Sequence, residues 1–199
     1  MNEILPGIFT WSWNSPEKQI AFNGWYLATP DEPVMIDPPL CPEVMLDEIE
    51  QRGAPRAILL TNKDHLRQAQ SYAGRFRAPI LVHQADAPLV DARIGGVFKH
   101  GDDLPGGIHA IRLPDAKSPG ETAFLVRRSN AVILGDALIG RPAGQLSLLP
   151  DGKYSDPRKA REGIRMLLKY SFDGVLVGDG DSIPKGGRKA IEEFLARTA

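Results

Sequence analysis

Apolar and polar positions change rhythm along this chain, and the changes outline its elements. Ile8-Phe9-Thr10-Trp11-Ser12-Trp13 alternates and is rich in aromatic residues, and Trp25-Tyr26-Leu27-Ala28 takes up the pattern, which predicts two strands. After a turn from Pro30 to Pro33, Val34-Met35-Ile36-Asp37 reads as a short buried strand ending on a carboxylate. Pro42 sets the first turn of a helix, Val44, Met45 and Ile49 supply its apolar face, and Gly53 suits its stop. Ala57 to Thr61 is an apolar strand, a helix follows His65, and Pro79 to His83 is the next strand. Alternating strand and helix predicts parallel or mixed sheet in this half.

The second half has a different texture. Ile108 to Leu113, Thr122 to Val126 and Ala131 to Leu134 read as strands joined by short turns, with Arg128-Ser129-Asn130 as a hairpin turn. Asp156-Pro157 caps a helix whose core face is Ala160, Ile164, Leu167 and Leu168. Val175-Leu176-Val177 is a last buried strand, and the closing helix turns Ile191, Phe194 and Leu195 inward. Two sheets packed together with helices outside bury all these faces, which predicts one domain over residues 1–199.

Composition narrows the class of partner. The chain has 199 residues, 42% hydrophobic and 25% charged, the balance of a soluble globular domain with a sizeable core. A net charge of −1 and no basic stripe argue against nucleic acid and anionic membranes. No apolar run nears the ~20 residues of a membrane span, and the start lacks a signal-peptide pattern. Cys41 is the single cysteine, so there is no disulfide framework and no cysteine metal cluster. A cytoplasmic location is the expectation.

Two of the buried runs end abruptly in ligand chemistry. One is Leu59-Leu60-Thr61-Asn62-Lys63-Asp64-His65, and the other is Ile133-Leu134-Gly135-Asp136. Together with Asn23-Gly24-Trp25-Tyr26-Leu27, Val34-Met35-Ile36-Asp37, Leu113 to Glu121 and Val177-Gly178-Asp179-Gly180, these pieces resemble, in order and spacing, the metallo-β-lactamase fold superfamily, from Ile4 to about Phe194. The resemblance implies a four-layer αββα sandwich of two mixed β-sheets, with a metal site at one edge of the sheets.

Residue by residue the match is partial. Asp64 and His65 fit the family's D-H pair, and Asp136 fits its metal-bridging carboxylate. Asp179 falls on the last histidine and still offers a ligand. Asn62, with Leu60 or a two-residue gap, replaces the first two histidines, and Lys117 replaces the third. The resemblance therefore implies loss of the first metal's ligands and retention of a second set: Asp64, His65, Asp136 and Asp179. Arg67 is a further departure, standing where the family favours small residues. Asp37 and Asn62 are read as supports of the metal loop.

Three carboxylates ~5 Å apart repel by roughly 3 kcal/mol per pair at an effective dielectric near 20, so the cluster needs a cation. One candidate is a divalent metal, with three oxygens and one imidazole favouring manganese, iron or magnesium over zinc. The other is the Lys117 ammonium in the vacated first site, and the two can act together. The first alternative makes the chain a metal-dependent hydrolase of a small ester, thioester, lactone or phosphoester, with Asp64 and Lys117 catalytic. The second makes it a metal-free family member that binds a small ligand or a partner subunit, a second copy included.

The remaining residues have plainer readings. His83 is a structural histidine, and His100 and His109 sit at the surface or at strand ends. Gly186-Gly187-Arg188-Lys189 is a helix start rather than a phosphate site. The irregular stretch from Gly140 to Ser155 borders the site, with Arg67 and Leu146 in its pocket. At least two of Trp11, Trp13 and Trp25 belong to the core.

Overall fold

The computed structural model describes residues 1–197. Seven strands form one sheet in chain order: β1 (Asn2–Leu5), β2 (Ile8–Ser15), β3 (Ile20–Leu27), β4 (Val34–Ile36), β5 (Ala57–Leu59), β6 (Ile80–His83) and β7 (Gly96–Phe98). Pairing is antiparallel up to β4 and parallel from β4 to β7. The parallel half needs crossovers, and two of them carry helices: α1 (Glu43–Arg52) and α2 (Ala69–Phe76). The second sheet has the order β12-β11-β10-β9-β8. Its strands are β8 (Asp103–Leu104), β9 (Ile108–Arg112), β10 (Thr122–Val126), β11 (Ala131–Leu134) and β12 (Gly174–Val177), and only β11 and β12 run parallel. Helices α3 (Pro157–Arg165) and α4 (Gly187–Arg197) belong to this half.

Alternation along the strands builds three apolar layers. Trp25, Leu27, Val34, Ile36, Ala57 and Leu59 meet Ala110, Phe124, Val126, Ile133 and Leu176 between the sheets. Their neighbours Tyr26, Met35, Ile58 and Leu60 face Leu46, Ile49, Tyr72 and Phe76 of α1 and α2. Leu125, Val132, Leu134, Val175 and Val177 face Ile164 of α3 and Ile191, Phe194 and Leu195 of α4. Strands buried on both faces show no polar alternation, which is why these runs read as wholly apolar. The result is the expected αββα sandwich.

Several local expectations change. In α1, Leu46 and Ile49 are buried while Val44 is 73% exposed, because two positions along a helix is about 200° around it. Pro42 is the extended residue before the helix, not its first turn. The strands β1, β7 and β8 carry no pattern of their own and exist as short sheet edges. His83 is buried edge-on against Phe98, and His100 and His109 bond locally to Arg112 and Asp103. Arg188 binds the Tyr170 and Leu168 carbonyls, so the closing helix begins as a packed helix start. Trp11 and Trp25 are in the core, and Trp13 packs at a tilt against Phe22 near the surface.

The two sheets meet at one end. Phe22 bridges to Asp179 beyond β12, Asn23 N–H donates to Gly178 O, and Asn23 Nδ2 donates to Val177 O and Gly180 O. The carboxyl ends of β4, β5, β11 and β12 all open here.

Candidate functional site

The side chains of the site sit on the loops that leave the strand ends. Asp37 follows β4 with φ of 45° and is fully buried. Its carboxylate accepts the Thr61 N–H at 2.9 Å and the Thr61 hydroxyl at 2.5 Å, which ties the end of β4 to the loop after β5. Asn62 Oδ1 accepts the Asp64 N–H at 2.9 Å and caps the short helical turn Lys63–His65. That turn aims His65 inward. Its Nδ1 lies 2.8 Å from Asp37 Oδ2, and its Nε2 lies 3.4 Å from Asp136 Oδ1 at the end of β11. Gly178 passes against the same ring, where a Cβ would come within 2.7 Å of His65 Cε1.

Cations of the chain itself close the cluster. Lys117 Nζ sits between Asp136 Oδ2 at 2.7 Å and Asp64 Oδ2 at 2.9 Å. Lys63 Nζ takes the other Asp64 oxygen at 2.6 Å. Arg67 reaches across the site: Nη2 donates to Asp179 Oδ1 at 2.8 Å and to Gly178 O at 3.1 Å, and Nη1 donates to Asn23 O and Asp37 O. The guanidinium also lies over the Phe22 ring, 4.9 Å from its centre.

Protonation follows from these contacts. Burial and the Arg67 charge oppose a protonated His65, but Asp37 and Asp136 outweigh them and raise its pKa to about 10. Burial would raise the Asp136 pKa, yet His65 and Lys117 hold it well below the usual carboxylate range. Lys117 is held charged against its partial burial by Asp136 and Asp64. Asp179 is different: burial raises its pKa despite His65 and Arg67. Behind Asp136 lies Glu121, fully buried, with Oε1 accepting the Ala137 N–H at 3.2 Å. Burial and then the Asp136 charge push its pKa well above the usual carboxylate range. Neither its Oε2 nor the neighbouring Asn62 Nδ2 completes a hydrogen bond of ordinary geometry.

A further buried carboxylate locks the loops that carry the lysines. Asp86 is fully buried and accepts the Lys63 N–H at 2.9 Å, the Ser118 hydroxyl at 2.6 Å and the Gly120 N–H at 2.7 Å. It thereby holds the Lys117 loop against the Asn62 to His65 loop.

The structure therefore brings together Asp64, His65, Lys117, Asp136 and Asp179, with Asp37 bonded to Thr61 and His65 and Asn62 capping the turn that carries His65. Two expectations change. Leu146 does not line the pocket; it is buried in the layer under α4, while Leu148 and Leu149 form the wall. Asp64 does not join the candidate ligand group: ligand atoms of His65, Asp136 and Asp179 lie within 4.8 Å of one another, while both Asp64 oxygens face lysines. Sequence reasoning passed over Glu121 and Asp86. A lone acid opening the apolar run Thr122 to Val126 was the available signal for Glu121; Asp86, in a turn, offered none.

A model of the metallo-beta-lactamase superfamily matches residues 3–198. The chain belongs to the metallo-β-lactamase superfamily. Among solved structures it is similar to TTHA1623 in a di-iron-bound form, at 24% identity and a TM-score of 0.71 over 90% of this chain and 96% of that one. It is also similar to the DIM-1 metallo-β-lactamase exposed to ceftazidime, at 12% identity and a TM-score of 0.79 over 100% and 96% of the two chains. The metallo-β-lactamase family protein TTHA1429 from Thermus thermophilus gives 16% identity and a TM-score of 0.74 over 98% and 80%. No curated protein sequence matches the chain.

Members of this superfamily typically bind divalent metals. The residues here do not fit a dinuclear centre, because the Lys117 ammonium stands between Asp64 and Asp136. The trio His65, Asp136 and Asp179 has the donor chemistry for a single ion. In this arrangement, however, the Arg67 guanidinium lies on its open side, bonded to Asp179 and 3.5 Å from His65 Nε2.

Proposed function

We propose that this superfamily member works without metal, its acid cluster neutralised by Lys117, Arg67 and a protonated His65, and that it binds a small molecule in the cavity beside the cluster. One observation carries the reading: Lys117 and Arg67 occupy the two faces on which cations would sit, at 2.7 to 2.9 Å from Asp136, Asp64 and Asp179. A buried carboxylate that already has a hydrogen-bonded partner gains little from a second cation, and a dication must then displace a guanidinium held by three backbone carbonyls. The test is elemental analysis of protein purified without chelators or a metal-binding tag, alongside melting curves with added manganese, iron and zinc. The expected result is less than a tenth of an equivalent of metal and an unchanged Tm. Stoichiometric metal that is lost in Asp136→Ala overturns the reading.

The trio within 4.8 Å favours a second reading, a mononuclear metal-dependent hydrolase of a small ester, thioester, lactone or phosphoester. His65, Asp136 and Asp179 would hold the ion, and manganese or iron suits two carboxylates and one imidazole better than zinc. When bound, such an ion supplies Lewis-acid polarisation. Asp37 would orient His65 through Nδ1, and Lys117 would keep a positive charge beside Asp136. Metal-dependent turnover of a nitrophenyl ester, lost in Asp136→Ala, separates this reading from the first.

A further inference from the structure

A cavity of about 800 Å³ opens directly beside the ion-pair cluster. That lies within the range of small-molecule sites, roughly 300 to 1,000 Å³. Its walls are mostly apolar, with Ile20, Ile139, Leu148 and Leu149 the large side chains. Its charged lining is Lys18, Lys117, Arg141, Lys153, Asp136 and Asp179.

The charges do not cancel. Asp136 is matched by Lys117, and Asp179 by Arg67. Lys18, Arg141 and Lys153 remain, and none of them forms an ion pair among the described residues. Arg141 makes one long bond, 3.4 Å to the Gln19 carbonyl, and Lys18 lies over the Phe22 ring at 5.4 Å. Lys18 acts on Asp179 only from beyond ion-pair distance, and Arg141 and Lys153 pair with no carboxylate among the described residues, so these cations around an apolar hollow are complementary to one kind of small molecule: an anionic head on an apolar body. The net charge of −1 makes this local surplus a property of the cavity rather than of the whole surface.

We propose that this cavity binds a small organic anion, its apolar body against Ile20, Ile139, Leu148 and Leu149 and its head against Lys18, Arg141 and Lys153. The inference rests on the metal-free reading, since only an internally neutralised cluster leaves the cavity positive. The head is a carboxylate or a phosphate monoester, which present the same charge to the same side chains.

Titration calorimetry with octanoate and octyl phosphate tests it, with 1-octanol and octyltrimethylammonium as neutral and cationic counterparts of the same chain length. The expected result is binding of at least one anion, at least tenfold tighter than the alcohol or the ammonium. The double variant Lys18→Glu, Lys153→Glu should weaken that binding at least tenfold with its melting temperature unchanged. Leu148→Asp should weaken it comparably from the apolar wall. Preference for one of the two anions identifies the head group. Equal affinity for all four probes, no binding of either anion, or binding indifferent to the double variant overturns the inference. Each titration is repeated after EDTA treatment and dialysis. Anion binding that disappears with EDTA overturns this inference together with the metal-free reading. Failure of both anions to bind either before or after EDTA treatment overturns this inference alone.

Discussion

Arg67 pairs a backbone disadvantage with a side-chain advantage. Its φ of 41° lies in the left-handed region, which costs a non-glycine residue about 1 to 3 kcal/mol. Four hydrogen bonds from its guanidinium hold it there. Arg67→Met should lower unfolding free energy by about 3 kcal/mol in a denaturant titration, because Asp179 keeps its burial and loses its partner. Arg67→Gly should then be about 1 kcal/mol more stable than Arg67→Ala, since glycine adopts this φ freely. Lys117 is more exposed, so Lys117→Met should cost less, about 2 kcal/mol. Adding Asp136→Asn should recover part of that loss in a double-mutant cycle. Protonation gives a further prediction. The His65 pKa is raised to about 10 from an unfolded value near 6.5. Its contribution to stability is therefore complete below about pH 6.5 and is lost as pH rises through about 10. Melting temperature should fall across that window in the wild type, and His65→Gln should flatten the fall. At this scale the sequence was legible in part. Asp64, His65, Asp136, Asp179 and Lys117 were all readable from motif positions. The partner of Arg67 was not, because Asp179 lies 112 positions away and only the folded sheets bring it near.

Among the elements, those buried on two faces were the readable ones. Strands β4, β5 and β11 are wholly apolar, and β10 and β12 nearly so, because each alternate position faces a different layer. Edge strands β1, β7 and β8 have one neighbour each and little burial to pattern them, so only pairing defines them. Loops were the least legible, and they carry the chemistry. Asp86 shows why: its role is to satisfy two backbone N–H groups and a hydroxyl on separate loops, a job with no local signature. Asp86→Ala leaves those donors buried without partners and should cost about 3 kcal/mol. Loosening the Lys117 loop should also raise its amide hydrogen exchange while the β9 to β12 sheet stays protected.

Across the whole molecule, the order of strands and helices predicted two sheets with helices outside, and the family resemblance supplied the layer order. The sandwich fixes where the strand ends converge, and the departures from the family's ligand pattern fix what converges there. Lys117 among the carboxylates was anticipated from its motif position, but the pairing of Arg67 with Asp179 was not, since that depends on side chains meeting across two sheets. The consequence for the intact protein is measurable. A superfamily site held together by metal melts earlier when the metal is stripped, by mass action. This protein should show the same Tm before and after exhaustive EDTA dialysis, within the error of the melt.

The acceptors of Arg67 come from residues 23, 37, 178 and 179, so they are assembled from both ends of the polypeptide. A ribosome has released residue 67 long before it makes the last two of them. During synthesis, half the partners that hold the turn at that arginine are missing. The N-terminal sheet alone is thus an incomplete unit, and a nascent chain arrested before residue 178 should be cut by protease near Arg67, where the finished protein resists.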